Sequence, residues 1–332
     1  MCAIVLARLV TIALASIVVL GGCSGSAGIS SQPPLETARA LAQVVITRQA
    51  QHYGNDWMYT AQHYGNDVSV YTRSGVALTW DETISGGPFS APSGTVATPD
   101  GWWYVANGGD ANVLIYKTTH DGPQGPIGVP LSDPGQIPAN VDVTPSRTLV
   151  AVSNAGSASQ SGSVSIYLNR GTEPSRLLTY GSDVLQGEGI AIDHQGNCFW
   201  AFNDDATHFG SIVEFSNCEG SGSVVWSGIP MVGGMAFDQS GDLYFVNQVE
   251  QGSLGNGVYQ CNKTANCRRL PTIEFGHPTN LNFDHRSKDL WLSDSTGYIY
   301  AISPKNGEIE STTQAVGGPS DPPVGIAPAP GG

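Results

Sequence analysis

Short runs of aromatic and β-branched residues recur along this chain at a regular interval, separated by polar Gly/Asn/Asp/Ser loops. WMYTAQHYGNDVSVY (57–71) aligns without a gap with WWYVANGGDANVLIY (102–116). Each is predicted to be a strand, a turn-rich loop and a second strand ending in tyrosine. The unit recurs as TLVAVSNAGSASQSGSVSIY (148–167), CFWAFNDDATHFGSIVEF (198–215), DLYFVNQVEQGSLGNGVYQC (242–261) and DLWLSDSTGYIYAI (289–302). The residue closing the first strand of each unit is Gln62, Asn107, Asn154, Asn203, Asn247 and Asp294, at separations of 45, 47, 49, 44 and 47. A period in this range predicts a repeat architecture.

Each unit carries two further elements. A leading strand runs into a tight turn in GTVATPDG (94–101), NVDVTPSR (140–147), GIAIDHQG (189–196), GMAFDQSG (234–241) and NLNFDHRS (280–287). A trailing strand is predicted in GVALTW (75–80), GPIGVPL (125–131), SRLLTY (175–180), SVVWSG (223–228), RRLPTIEF (268–275) and IESTTQAV (309–316). Four strands per unit, A to D from the centre outward, predict an all-β, six-bladed β-propeller over residues 51–330. The first unit lacks its leading strand, and VGIAPAP (324–330) supplies it from the other end of the chain. The C-terminal strand thus completes blade 1 and closes the ring, which removes the open sheet edges.

A seven-residue string occurs twice, as Ala50–Asp56 and Ala61–Asp67. On this scheme the second copy is the B–C loop of blade 1. The first copy precedes strand B, so a strand about 16 Å long separates them. The duplication is turn chemistry used on opposite faces of the disk, not one paired His/Asp site.

Composition adds the compartment. The chain has 332 residues, 42 of them glycine, with 13% charged residues. From Leu9 to Gly22 it is apolar or small, too short to span a bilayer but suited to a secretory signal. Leu20-Gly21-Gly22-Cys23 resembles the bacterial lipobox, which implies removal of residues 1–22 and a diacylglyceryl group on Cys23. Residues 23–50 then form a tether: Ser24–Pro34 is Gly/Ser/Pro-rich, and 35–48 suit either a short helix or a strand. The expected location is the bacterial cell envelope, facing the periplasm or the exterior. With Arg8 removed, 13 basic residues face 28 acidic ones, a net charge of about −15. Nucleic acid is excluded as a partner by repulsion. Cys198, Cys218, Cys261 and Cys267 remain, with no C-x-x-C spacing for a metal. In an exported chain they are expected to pair as Cys198–Cys218 and Cys261–Cys267, each stapling one blade.

The Gly-x-Ala-x-Asp form of strand A (Gly189–Asp193, Gly234–Asp238) and the aromatic-x-x-Asn form of strand B resemble bacterial propellers of the NHL-repeat type and the related gluconolactonase-like superfamily. The resemblance covers residues 57–330 and speaks to architecture, because propellers host many activities. Gluconolactonase-like enzymes hold a divalent cation in the channel, partly from positions just before the strand-A glycine. Here those positions are Ser93, Ala139, Glu188, Gly233, Thr279 and Val324, so the metal set is not reproduced. Glu188 is the one hard-cation ligand among them, with Asp294 or Asn140 as helpers.

The D–A and B–C loops are the face on which a site is expected. The candidate ligand-binding residues there are Gln62, Asn107, Asn154, Asn203, Asn247 and Asp294, types that also start loops by bonding nearby backbone. Glu188 with His277 is the best acid/base pair available. His194 and His285 follow aspartates in A–B turns and are turn residues. Asn203-Asp204-Asp205 is where Ca²⁺ would be attracted, but three adjacent loop residues suit solvation better, and no cofactor is expected. No nucleophile elbow, phosphate loop or His-Glu-x-x-His occurs. The sequence therefore points to a membrane-anchored, monomeric module that binds a protein, peptide or glycan, or serves as a scaffold. The alternative is a metal-dependent lactonase or lyase using the channel.

Overall fold

The structure, a computed structural model, describes residues 56–157, 160–181, 185–204, 207, 209–249, 254–262, 266–271 and 275–330. The signal segment, Cys23, the tether and the first copy of the repeated string up to Asn55 lie outside the described residues. Six antiparallel sheets are present, five of four strands and one with a fifth short strand. Blade 1 is ordered Pro323–Ala329, Asp56–Gln62, Asp67–Ser74, Ala77–Ser85, so the last strand of the chain pairs with the first. In this register Tyr59 faces Ala327 and Trp57 faces Ala329. The other five blades run A to D in chain order, their inner strands being Pro92–Ala97, Ile137–Val143, Leu185–Ile192, Val232–Phe237 and Pro278–Phe283. Among the described residues no helix is long and apolar enough to cross a membrane.

Strands alternate in side-chain direction, so each sheet presents two faces, and each face packs on a neighbouring blade. The buried apolar residues accordingly form six clusters, one at each blade junction. Trp103 of blade 2 stacks on Tyr59 of blade 1, with centroids 4.2 Å apart. The junction between blades 6 and 1, built from Met58, Tyr71, Trp291, Ile299 and Ile326, is a core like the rest. Closure is therefore driven by apolar burial as well as by the strand-A ladder.

At the axis the inner strands meet in one ring of equivalent positions: Gly325, Gly94, Asn140, Gly189, Gly234 and Asn280. A methyl group on Gly325 would fall on the carbonyl oxygen of Ser93, and one on Gly189 would sit 2.6 Å from the carbonyl oxygen of Gly233. Gly94 and Gly234 each make room for the asparagine of the following blade. The glycines of strand A thus let six strands converge.

Two outer strands differ from expectation. In blade 2 the predicted 125–131 run is not a strand; Gly122–Gln124 and Leu131–Ser132 pair with strand C on either side of it. Pro126 and Pro130 have no N–H to give to a ladder. In blade 5 strand D is the three residues Cys267–Arg269, followed shortly by Pro271. Both disulfides are formed as expected. Cys198 opens strand B and Cys218 lies just past strand C of blade 4, while Cys261 and Cys267 face each other across strands C and D of blade 5.

Candidate functional site

The six residues closing strand B are all buried. Asn107 accepts from the Ser90 amide (2.6 Å) and donates to the Pro88 carbonyl (2.9 Å), gripping the loop that enters its own strand A. Asn247 accepts from Met231 N, and Asp294 from His277 N, each at 3.2 Å, in the equivalent loops. Gln62 donates to the carbonyls of Val316 and Asp321 and accepts from Ser69 Oγ (2.6 Å). Asn154 donates to Ser163 and Ser165, whose hydroxyls donate in turn to Gln136 and Asp133 of the corresponding loop. Asn203 reaches the next blade, exchanging bonds with Val232 N and O at 3.0 Å. These side chains hold D–A loops and inner strands in place, with their polar atoms turned to protein.

The second copy of the repeated string does the same work. Gly65 N donates to Asp321, and Asn66 Oδ1 accepts from Ala91 N, so this B–C loop ties down the D–A loops on both sides.

Glu188 and His277 stand on blades 4 and 6, with no hydrogen bond or ion pair between them. His277 is exposed, and its backbone binds Asp294 and Ser295. Glu188 keeps a water-accessible edge but is enclosed by protein on most sides. That burial pushes its carboxyl up to about 7, against a weaker pull from the Asn203 amide at 3.3 Å. Asp204 accepts from Thr207 N in its own loop. Among the described residues no three His, Cys, Asp or Glu side chains group closely enough to hold a metal ion.

A cavity of about 950 Å³ occupies the channel on the other face, the side of the A–B turns. Its walls are inner-strand residues such as Val96, Ile190, Ile192, Met235, Phe237 and Phe283. Its mouth is the set of turns after strand A, which are bonded to one another. His194 Nε2 donates to Asp238 O (3.0 Å), Gln239 to His285 O (3.2 Å), and His285 Nε2 to Ala97 O (3.1 Å). The two histidines are turn residues, as their sequence context implies, and they also join blades. Partial enclosure at the mouth lowers the His285 imidazole from its ordinary value, against the opposing pull of the Ala97 carbonyl and Asp284.

Inside the cavity the polar side chains come from blades 3 and 6, opposite each other in the ring. Asn282 Oδ1 accepts from Phe283 N (2.9 Å). Asp142 accepts from Val143 N (2.7 Å) with one oxygen and from Ile192 N of blade 4 (2.6 Å) with the other. Burial pushes Asp142 up to about 6, opposed by those two amides. Sequence reasoning passed over Asp142. Its carboxylate stands between two valines of an inner strand in NVDV, but nothing local marks it as facing the cavity.

No family model matches the sequence, and no curated protein matches it significantly. Solved structures do share its shape. A protein of unknown function from Bacteroides caccae is 13% identical, with a TM-score of 0.57 over 83% of this chain and 99% of that one. The hydrazine synthase of Kuenenia stuttgartiensis is 14% identical, with a TM-score of 0.53 over 74% of this chain and 72% of that one. A candidate 6-phosphogluconolactonase of Bacteroides uniformis is 11% identical, with a TM-score of 0.51 over 82% of this chain and 99% of that one. At such identities the likeness is one of fold.

Proposed function

We propose that the chain is a non-enzymatic ligand-binding propeller of the bacterial envelope, tethered through a lipid on Cys23. Its ligand enters the central channel from the A–B-turn face. The observation that carries this reading is the cavity: about 950 Å³, walled by apolar inner-strand side chains with the polar Asn140, Asp142, Asn280 and Asn282 set among them. That is the size and lining of a small-molecule site. The acidic surface argues against nucleic acid, and the two disulfides suit an oxidising compartment.

The neutral apolar dye N-phenylnaphthylamine tests the channel. It should bind the full-length protein saturably at one site, and Ala236→Trp, which fills the cavity, should abolish binding without lowering the melting temperature. Absence of saturable binding to the unmodified protein would refute the reading. For the anchor, cells expressing the protein should incorporate a palmitate analogue into it, and Cys23→Ala should not.

A metal-dependent lactonase- or lyase-like hydrolase is the second reading, and Glu188 is the observation that favours it. A carboxyl lifted to about 7 exchanges protons at neutral pH, as a general acid or base must. Elemental analysis after dialysis decides between the two: stoichiometric Ca²⁺ or Zn²⁺, lost in Glu188→Gln, would reverse the order.

A further inference from the structure

We propose that the channel selects a small organic cation, an amine with an apolar body, whose ammonium group donates to Asp142. This deepens the reading above and rests on it. Asp142 lies two residues beyond the ring of closest approach. In the same place the other inner strands carry Val96, Ala191, Ala236, Asn282 and Ala327. One carboxylate therefore stands in an otherwise neutral tier.

Its two partners are backbone amides, and no lysine, arginine or histidine forms an ion pair with it among the described residues. A carboxylate oxygen has more than one acceptor site, so each Asp142 oxygen retains capacity toward the cavity. An enclosed charge without a counter-charge is unfavourable, and a ligand cation relieves it.

The surroundings favour the same sign and shape. Asp193, Asp238 and Asp284 border the mouth, against the exposed Lys288 and two histidines that serve as turn donors. Asp284 is already paired with Arg73, but Asp193 and Asp238 are held by amides and a hydroxyl of their own turns, so their charges add to an acidic field over the opening. Phe237 and Phe283 line the walls, suited to the apolar part of such a ligand.

Asp142 also clamps blade 3 to blade 4, and the test must separate that role from recognition. Calorimetric titration of the full-length protein with phenethylamine and with the neutral phenethyl alcohol, at about pH 7.5, compares two probes of nearly one shape. The amine should bind at least ~10-fold more tightly, a difference of about 1.4 kcal/mol. Asp142→Asn should erase that preference while dye binding in the channel persists. A clamp alone would shift the melting temperature and leave the preference intact. Should the variant fail to fold, the unmodified protein serves: the preference should shrink as pH falls from 7.5 to about 5.5 and Asp142 takes up a proton. Equal affinity for the two probes would overturn the amine proposal and leave the channel reading standing. Failure of both probes and of the dye would overturn the two together.

Discussion

Arg73 shows how much a single side chain holds at the closing junction. It lies on strand C of blade 1 and is almost fully buried, with one guanidinium nitrogen 2.7 Å from Asp284 of blade 6 and the other 3.0 Å from Asp56. Arg286 completes the group by donating to Asp56 at 2.7 Å. Burial alone would raise the Asp284 carboxyl. The Ser287 hydroxyl, the turn amides and Arg73 outweigh it and hold the group below the ordinary range. Removing one partner of such a pair strands a buried charge, so Arg73→Met should cost about 3–5 kcal/mol in urea unfolding. A loss under about 1 kcal/mol would mean that solvent reaches Asp284 more freely than the geometry implies. Trp103→Ala, which empties the stack on Tyr59 and Tyr116, should cost a similar ~3–5 kcal/mol for a different reason, the cavity it leaves.

At the scale of elements the molecule is a ring joined by its last strand. Gly325 in that strand admits no side chain, because a Cβ there meets the backbone of Ser93 and nothing flexible can yield. Gly325→Val should therefore weaken closure, giving earlier proteolysis at both termini and a lower melting temperature. Gly196→Ala, in an open A–B turn, should cost only the strain of a left-handed residue, ~1–2 kcal/mol. Reducing Cys198–Cys218, which closes a loop of 20 residues, should cost about 3 kcal/mol. The elements themselves were mostly legible from sequence, since strands A, B and C carry a period-two pattern and recur at one interval. The strand completing blade 1 was legible by counting, because one strand A was missing at one end and surplus at the other. Outer strands with few buried side chains carry little pattern, and proline broke two of them. The site was less legible than the ring. The Asn/Asp positions closing strand B were visible as a repeat, but their partners, such as Ser90 for Asn107, lie in irregular loops that no period marks. Asp142 was hidden for another reason: which inner-strand residues line the cavity depends on how six strands tilt around the axis, a property of the closed ring and not of any segment.

For the whole molecule the consequence is an unusual dependence of stability on acidity. Burial lifts Asp133 and Asp142 to about 6 and Glu188 to about 7; it also lifts Asp67 to about 6, with the neighbouring Asp321 carboxylate adding to the effect. In the unfolded chain these carboxyls titrate near their ordinary values of about 4. Between about pH 4 and pH 7 the folded protein therefore holds more protons than the unfolded chain, and stability must fall as pH rises through that window. Asp284 works in the opposite sense. Its stabilisation is present above the ordinary carboxylate value and is lost only as pH falls through its own depressed one. The formal charge of −14 at neutral pH, with an isoelectric point near 4.7, adds self-repulsion that also fades on acidification. The melting temperature should consequently be highest near pH 4 and decline toward pH 8. The loss over that range should be several kcal/mol, with about 1.4 kcal/mol for each pKa unit by which burial lifts a carboxyl and a discount for Asp67, which stands partly in solvent. Glu188→Gln should remove most of the decline above about pH 6, and Asp142→Asn should make the fall between about pH 4 and pH 6 shallower. Thermal melts across this range would read the curve directly. A flat profile, or one that rises toward pH 8, would mean that water reaches the inner tier of the propeller and that the channel is not the enclosed, low-dielectric site from which a single carboxylate could select a cation.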